Sequence, residues 1–182
     1  MSSSSLLEMK QKILADIVKV SAFQETGAST IPYSFDLMKL AGAPQTLKQT
    51  TKAYQLLFRS ENLHQVRRIA GVSPAGEAFA ALLSYLEKKP LLWLSSMETT
   101  PHRRITGLLQ PGDSVLLVDG IQASSLGEAA GIVRAEGGLV SDALVLISDS
   151  HTGAKLERSL KVHSLLSVSE IIDYVASKGN LQ

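Results

Sequence analysis

A turn in the second half of the chain combines one acid with small and hydroxyl residues, in the order Asp119-Gly-Ile-Gln-Ala-Ser-Ser-Leu-Gly-Glu128. It follows the apolar run Val115–Val118, which puts Asp119 at the end of a predicted strand and the serines at the start of a predicted helix. Backbone N–H groups and the dipole at such a helix start can hold a phosphate, and Asp119 can then accept hydrogen bonds from neighbouring sugar hydroxyls. The same local pattern equally fits a capping box of Ser125 and Glu128 without a ligand. The candidate ligand-binding residues are Asp119, Ala123, Ser124, Ser125 and Gly127.

A second turn of small residues lies at the end of another predicted strand, in the order Gly71-Val-Ser-Pro-Ala-Gly76. Small side chains allow a ligand to approach the backbone closely. The alternative is that they allow tight packing of the following helix against the sheet. The candidate residues of this turn are Ser73, Pro74, Ala75 and Gly76.

Metal and thiol chemistry have little support in this sequence. The chain contains no cysteine, which excludes a disulfide framework, thiolate zinc sites and a cysteine nucleophile. His64, His151 and His163 have no histidine at i+4 and no neighbouring pair of carboxylates, so we expect lone surface histidines. No protein-held metal site is predicted.

Alternating strands and helices must position the two turns. Four apolar runs have the length of buried strands: Arg68–Val72, Leu91–Leu94, Val115–Asp119 and Ala143–Ile147. A fifth candidate strand covers residues 161–166. Helical spacing marks an N-terminal amphipathic helix and segments near residues 44–58, 74–86 and 126–135, and Ser167 with Glu170 forms a capping box for a last helix. This pattern predicts an α/β fold with a doubly wound, mainly parallel sheet in which all four runs are buried, and ligands in such sheets bind beyond the carboxyl ends of the strands.

Composition narrows the possible partners. The chain has 182 residues, a formal net charge of +1 and 45% hydrophobic residues. Nucleic-acid binding would need a strong excess of Lys and Arg, which is absent. No run reaches the roughly 18–20 apolar residues of a membrane span. The first seven residues lack the pattern of an export signal, so a cytoplasmic protein is expected.

The two turns, in their order along the chain, resemble motifs of the type I phosphoribosyltransferases, and orotate phosphoribosyltransferases in particular. The turn at Asp119 is similar to the signature that binds phosphoribosyl pyrophosphate, and the segment Ala70–Ala78 is similar to the pyrophosphate loop. Thr26-Gly27 with residues 32–37 resembles the stretch over the base, and residues 104–107 and 148–154 resemble two further segments. The order and spacing hold from about Leu6 to Gly179.

The resemblance implies a division of the chain and roles for its residues. Residues 1–60 would form a small N-terminal hood over the base site, and residues 61–182 the α/β core. The implied base-binding residues are Tyr33, Ser34, Phe35 and Ser150. The implied ligand is phosphoribosyl pyrophosphate or a nucleoside monophosphate, with Mg²⁺ if the chain is catalytic. A homodimer, or pairing with a paralogue, is also implied.

The departures from the family pattern fall on functional positions. Gly120 stands where the family has its second acid, and Ser150 stands where it has an arginine for the orotate carboxylate. The segment corresponding to the mobile catalytic loop, Ser95–Arg104, contains no lysine. His102, Arg103 and Arg104 are its only cationic candidates for a catalytic role, and a solvated surface cluster is the alternative for them.

Two functions remain open on the sequence. One is an enzyme that transfers phosphoribose from phosphoribosyl pyrophosphate to orotate. The other is a phosphate-binding or nucleotide-binding regulatory subunit that keeps the fold and is paired with an active paralogue. Gly120 and the lysine-free loop are the features that separate them.

Overall fold

The computed structural model describes residues 3–25, 33–94, 105–149 and 160–179. Its helices are α1 (Ser3–Lys19), α2 (Met38–Gly42), α3 (Pro44–Ser60), α4 (Pro74–Glu87), α5 (Ser125–Ala135) and α6 (Val168–Gly179). Its strands are β1 (Phe23–Glu25), β2 (Tyr33–Phe35), β3 (Arg68–Gly71), β4 (Leu91–Leu94), β5 (Ile105–Thr106), β6 (Val115–Ile121), β7 (Asp142–Ser148) and β8 (Lys161–Ser167). Among these helices, none has the length and apolarity needed to cross a membrane.

Six strands form one sheet in the order β5-β4-β3-β6-β7-β8. β3 pairs in parallel with β4 and β6, β6 pairs in parallel with β7, and β7 with β8. Of these strands, the two-residue β5 alone runs antiparallel to its neighbour. The predicted α/β, mainly parallel sheet is therefore confirmed, with the four apolar runs and the fifth candidate as its parallel strands.

One strand departs from the prediction that all four runs are buried. In β4, Leu92 is fully buried, but the side chain of Trp93 is 46% exposed. The reason is the position of β4, which has only the two-residue β5 between it and the edge of the sheet. An apolar run predicts strand formation well, but it does not report how near the edge a strand lies.

Apolar side chains cover both faces of the sheet. The cluster on one face joins α1, α3 and α4 to the strands and includes Ile17, Phe58, Phe79 and Leu116. The cluster on the other face joins α5 to the strands and includes Leu117, Leu126 and Val133. Adjacent residues of β6 therefore point to opposite clusters, as expected for a central strand with helices on both sides.

The N-terminal hairpin sits over the carboxyl ends of the strands. β1 and β2 pair antiparallel, with Phe23 opposite Phe35. The rings of Phe23, Tyr33 and Phe35 form a cluster with centroid distances of 5.4–6.4 Å. The Tyr33 hydroxyl donates a hydrogen bond of 2.9 Å to Asp149 Oδ2, directly after β7. Burial, followed by this contact with Asp149, raises the pKa of Tyr33 to about 12, so its hydroxyl keeps the proton that the bond requires.

The expectation that His163 is a lone surface histidine is wrong. Its side chain is 3% exposed and lies between two carboxylates. Nδ1 is 2.8 Å from Glu61 Oε2, just after α3, and Nε2 is 2.8 Å from Asp142 Oδ1, at the start of β7. Glu61 is 102 residues away in the chain, so local spacing could not reveal this contact. His163 therefore joins the end of α3 to two strands of the sheet.

We expect the substitution His163→Ala to lower the free energy of unfolding by about 3 kcal/mol, because it leaves two carboxylates facing each other without the ring between them. The matched control is Lys161→Ala on the same strand. Lys161 Nζ lies 3.6 Å from the same Glu61 carboxylate, but its side chain is 69% exposed, so the cost should stay within about 0.5 kcal/mol. Urea unfolding of the three proteins measures both values, and equal losses in the two variants would contradict the role given to His163.

Candidate functional site

The candidate site is a pocket of about 310 Å³ at the carboxyl ends of β3 and β6. It opens where two parallel strands lead into helices, which is where ligands bind in doubly wound sheets. The hairpin and α2 provide one wall, and the two turns singled out from the sequence provide the others. The lining residues are Phe35, Asp36, Leu37, Met38, Ser73, Pro74, Ala75, Asp119, Gly120, Ile121, Ala123 and Ser125.

The Asp119 carboxylate makes its hydrogen bonds within the protein, and only 2% of the residue's surface is exposed. Its Oδ1 accepts hydrogen bonds from the Ser73 hydroxyl and, at 2.7 Å, from the N–H of Gly120. The Ser125 hydroxyl also donates to this carboxylate. Burial raises the pKa of Asp119, and these hydrogen bonds oppose the rise only in part. The carboxylate thus ties the end of β6 to the starts of α4 and α5, and its predicted contact with a sugar hydroxyl stays a prediction.

A phenol holds the backbone at the same strand end. The Tyr54 hydroxyl, on α3, donates a hydrogen bond to the carbonyl oxygen of Asp119. Tyr54 is fully buried and its ring packs on Phe79 with centroids 5.3 Å apart. Burial, with the nearby Asp119, raises the pKa of Tyr54 well above its ordinary value, so the hydroxyl remains a donor. The direction of the last residues of β6 is therefore set by a helix on one face of the sheet.

The backbone N–H groups at the start of α5 are available as hydrogen-bond donors to a ligand. The helix begins at Ser125, and the side chain of Ser124, its N-cap residue, makes no capping hydrogen bond. The N-cap residue is Ser124 and not Ser125, and the N–H of Glu128 donates to the carbonyl oxygen of Ser124 at 3.4 Å, so the alternative capping box of Ser125 and Glu128 does not form. Within the described residues, the backbone N–H groups of Ala123, Ser124 and Ser125 donate no hydrogen bond to the protein. Unpaired N–H groups at a helix start are the donors that a phosphate uses.

The turn before α4 serves packing as well as the pocket. Ser73 is the N-cap of α4, and its hydroxyl oxygen accepts a hydrogen bond of 3.1 Å from the N–H of Gly76. Ser73, Pro74 and Ala75 line the pocket, but Gly76 does not. A Cβ at Gly76 would lie 2.6 Å from the carbonyl oxygen of Val118. For Gly76 the packing alternative therefore holds, and α4 meets β6 closely only because this residue is glycine.

The substitution Gly76→Ala should lower the free energy of unfolding by about 2 kcal/mol or more, since its methyl group would press on the backbone of β6. Gly131→Ala in α5 is the matched control. A Cβ at Gly131 meets nothing within 4 Å. The free energy of unfolding of this variant should therefore rise by about 0.5–1 kcal/mol, because alanine has the higher helix propensity. Thermal unfolding of both variants tests the pair, and a Gly76→Ala protein as stable as the parent would contradict close packing at this point.

Residues around β2 and α2 line the pocket, and most of them were not candidates from the sequence. Phe35 lines the pocket as predicted, but the Tyr33 hydroxyl is occupied by Asp149, and neither Tyr33 nor Ser34 lines the pocket. The residues missed are Asp36, Leu37, Met38 and Ile121, along with Gly120, which was noted only for the acid it lacks. Their only sequence signal was position: Asp36 and Leu37 end the stretch of residues 32–37, Met38 follows it, and Ile121 lies within the turn that begins at Asp119.

Leu37 and Gly120 meet inside this pocket. A Cβ built on Gly120 would lie 2.4 Å from Leu37 Cδ1. Leu37 is buried and belongs to the larger core cluster, so its position is held by packing. The space that a side chain at the position of the family's second acid would need is thus occupied by the Leu37 side chain.

The described lining contains two acids, Asp36 and Asp119, and no lysine or arginine. Four of the predicted site residues, His102, Arg103, Arg104 and Ser150, lie outside the described residues. Ser124 and Gly127 are in the α5 start but do not line the pocket. Of the candidates from the two turns, the structure brings together Ser73, Pro74, Ala75, Asp119, Ala123 and Ser125.

Comparison with known proteins gives a consistent result. No family model matches the chain. It is 29% identical over 174 residues to orotate phosphoribosyltransferase from Saccharolobus solfataricus, which covers 91% of this chain and 86% of the relative. Its structure is similar to orotate phosphoribosyltransferase from Aeropyrum pernix, with a TM-score of 0.74, 21% identity, and 90% of this chain and 99% of the other covered.

A further neighbour is orotate phosphoribosyltransferase from Mycobacterium tuberculosis, solved in complex with 5-phospho-alpha-D-ribosyl 1-diphosphate. It has a TM-score of 0.64 and 15% identity, with 94% of this chain and 93% of that chain covered. The chain therefore has the fold of the type I phosphoribosyltransferases and resembles orotate phosphoribosyltransferases in sequence along most of its length. The resemblance drawn from the motifs is confirmed.

Proposed function

We propose that this orotate phosphoribosyltransferase-like chain binds a phosphorylated ribose at the start of α5 and has little transferase activity of its own. The proposal depends on one observation: the N–H groups of residues 123–125, beside a pocket formed by both candidate turns, have no acceptor among the described residues. The positive end of the helix dipole adds attraction for the phosphate. The ligand is phosphoribosyl pyrophosphate or a nucleoside monophosphate.

Low transferase activity follows from the lack of fixed cations in the described lining, where the pyrophosphate leaving group would need them. Departure of pyrophosphate requires fixed cations, but the described lining holds none and residues 95–104 contain no lysine. The packing of Leu37 against Gly120 favours the second candidate function, a binding or regulatory subunit. Pairing with an active paralogue, or a homodimer, stays a prediction. Arg103 and Arg104 are the residues that would carry residual catalysis. A cytoplasmic location stays a prediction.

Charge at the start of α5 provides the test of phosphate binding. Ser124 is exposed and its side chain makes no capping hydrogen bond, so neither Ser124→Asp nor Ser124→Asn removes a contact that holds the helix. The aspartate adds a negative charge beside the proposed phosphate, and the asparagine has nearly the same shape without the charge. We expect calorimetry to show binding of ribose 5-phosphate weakened about tenfold or more by Ser124→Asp, and changed less than about threefold by Ser124→Asn.

Two other results would contradict the proposed phosphate site or the proposed function. Equal binding by the two variants would place the phosphate elsewhere in the molecule. No binding by the parent protein would contradict the proposed function and leave a chain that keeps the fold without this ligand. Thermal unfolding of both variants confirms that a loss of binding is not a loss of structure.

A further inference from the structure

The resemblance to phosphoribosyltransferases implies Mg²⁺, and the side chains at the end of β6 would be the described residues that help to hold it. The residues present do not fit that cation. Gly120 provides no side chain, and the Asp119 carboxylate already accepts hydrogen bonds from the Ser73 and Ser125 hydroxyls and from the N–H of Gly120. Across the described ranges, no cluster of three His, Asp or Glu side chains has the arrangement of a metal site.

Leu37 is held beside Gly120 by contacts of both its backbone and its side chain. Its carbonyl oxygen accepts hydrogen bonds from the N–H groups of Leu40 (3.1 Å) and Ala41 (3.2 Å), so its backbone begins α2. Its side chain is 6% exposed and forms part of the larger core cluster. Because a Cβ on Gly120 would come within 2.4 Å of Leu37 Cδ1, any side chain at position 120 requires the end of the Leu37 side chain to move.

Resting on the proposed function, we infer that the site recognises only the ribose 5-phosphate end of its ligand, without a divalent cation, and that Leu37 is the residue that determines this specificity. The charges around the pocket support this inference. A helix start acts as about half a positive charge, which suits one phosphate monoester. The described lining has two acids and no lysine or arginine to balance the further charges of a diphosphate.

Calorimetry on the full chain compares ribose 5-phosphate with phosphoribosyl pyrophosphate, each with Mg²⁺ and with EDTA. We expect the two ligands to bind within about threefold of each other in Mg²⁺, and ribose 5-phosphate to bind equally in both buffers. Phosphoribosyl pyrophosphate bound about tenfold or more tightly than ribose 5-phosphate in Mg²⁺ would overturn the inference while supporting the proposed function. Absence of binding by either ligand would overturn the proposed function, and the inference with it.

Variants at the two positions test the role of Leu37. The double variant Leu37→Ala/Gly120→Asp makes room for the acid, and in it we expect Mg²⁺ to strengthen binding of phosphoribosyl pyrophosphate about fivefold or more. Leu37→Ala alone should show no such effect of Mg²⁺. A double variant as insensitive to Mg²⁺ as the parent would remove the specificity role from Leu37.

A ligand-free measurement keeps the test decisive if Gly120→Asp disturbs folding. Gly120→Ala should lower the melting temperature by about 5 °C or more in the parent chain, but by much less when Leu37 is already alanine. Equal losses in the two backgrounds would show that Leu37 does not occupy the space beside Gly120, and would overturn the inference.

Discussion

Purified alone, the chain will form orotidine monophosphate from orotate and phosphoribosyl pyrophosphate at least about 1,000-fold more slowly than an ordinary metabolic enzyme. Three groups that would meet charge are missing: the second acid at Gly120, lysines in Ser95–Arg104, and an arginine at Ser150. Loss of one preorganised contact to developing charge typically costs about 100- to 1,000-fold in rate. Three such losses in one site should leave little activity, even though their effects are not additive.

A turnover assay with a panel of bases checks this expectation. Gly120→Asp alone should not restore activity, because pyrophosphate would still leave without fixed cations and because the new side chain collides with Leu37. Orotidine monophosphate formation by the parent chain at about 1–1,000 per second would refute the expectation. In that case Arg103→Ala and Arg104→Ala would identify the source of the missing charge.

The second large effect concerns Asp119, whose replacement by alanine should lower the free energy of unfolding by about 3 kcal/mol. The variant leaves donors from Ser73, Ser125 and the N–H of Gly120 without the acceptor that joins two helix starts to β6. Asp119→Asn is the matched control, since the amide oxygen can still accept from these groups. Chemical unfolding should place the asparagine variant well above the alanine variant, and equal stability of the two would show that the carboxylate is not the link.

The pH dependence of the same residue has a definite sign. Burial raises the pKa of Asp119 in the folded protein above its unfolded value, so the folded state takes up this proton first as the pH falls. The contribution of Asp119 to stability therefore rises as the pH drops through the raised pKa, and it is lowest at higher pH. Compared with Asp119→Asn, the parent should gain stability over that acidic range. An identical pH profile for the two proteins would contradict the raised pKa.

Much of the fold could be predicted from local sequence pattern. Apolar runs of strand length and helical spacing depend on neighbours within a few residues, so β3, β6, β7 and the helices between them were recognisable directly. The two turns of the pocket were recognisable for the same reason, because both are contiguous segments at strand ends. The exposure of Trp93 was not, since it depends on how many strands lie beyond β4.

The sequence by itself thus determined the order of the five parallel strands and the helices between them, the two turns of the site, and the absence of the family's second acid and loop lysines. It did not reveal α2 or β5. Only the tertiary structure decided which distant residues meet. It placed Leu37 against Gly120, brought Glu61 and Asp142 to His163, and turned the Tyr33 hydroxyl to Asp149. The physical reason is that periodicity is set by bonds and contacts along one segment. Whether a carboxylate is free or used, and whether a glycine faces ligand or leucine, depends on how separate segments pack.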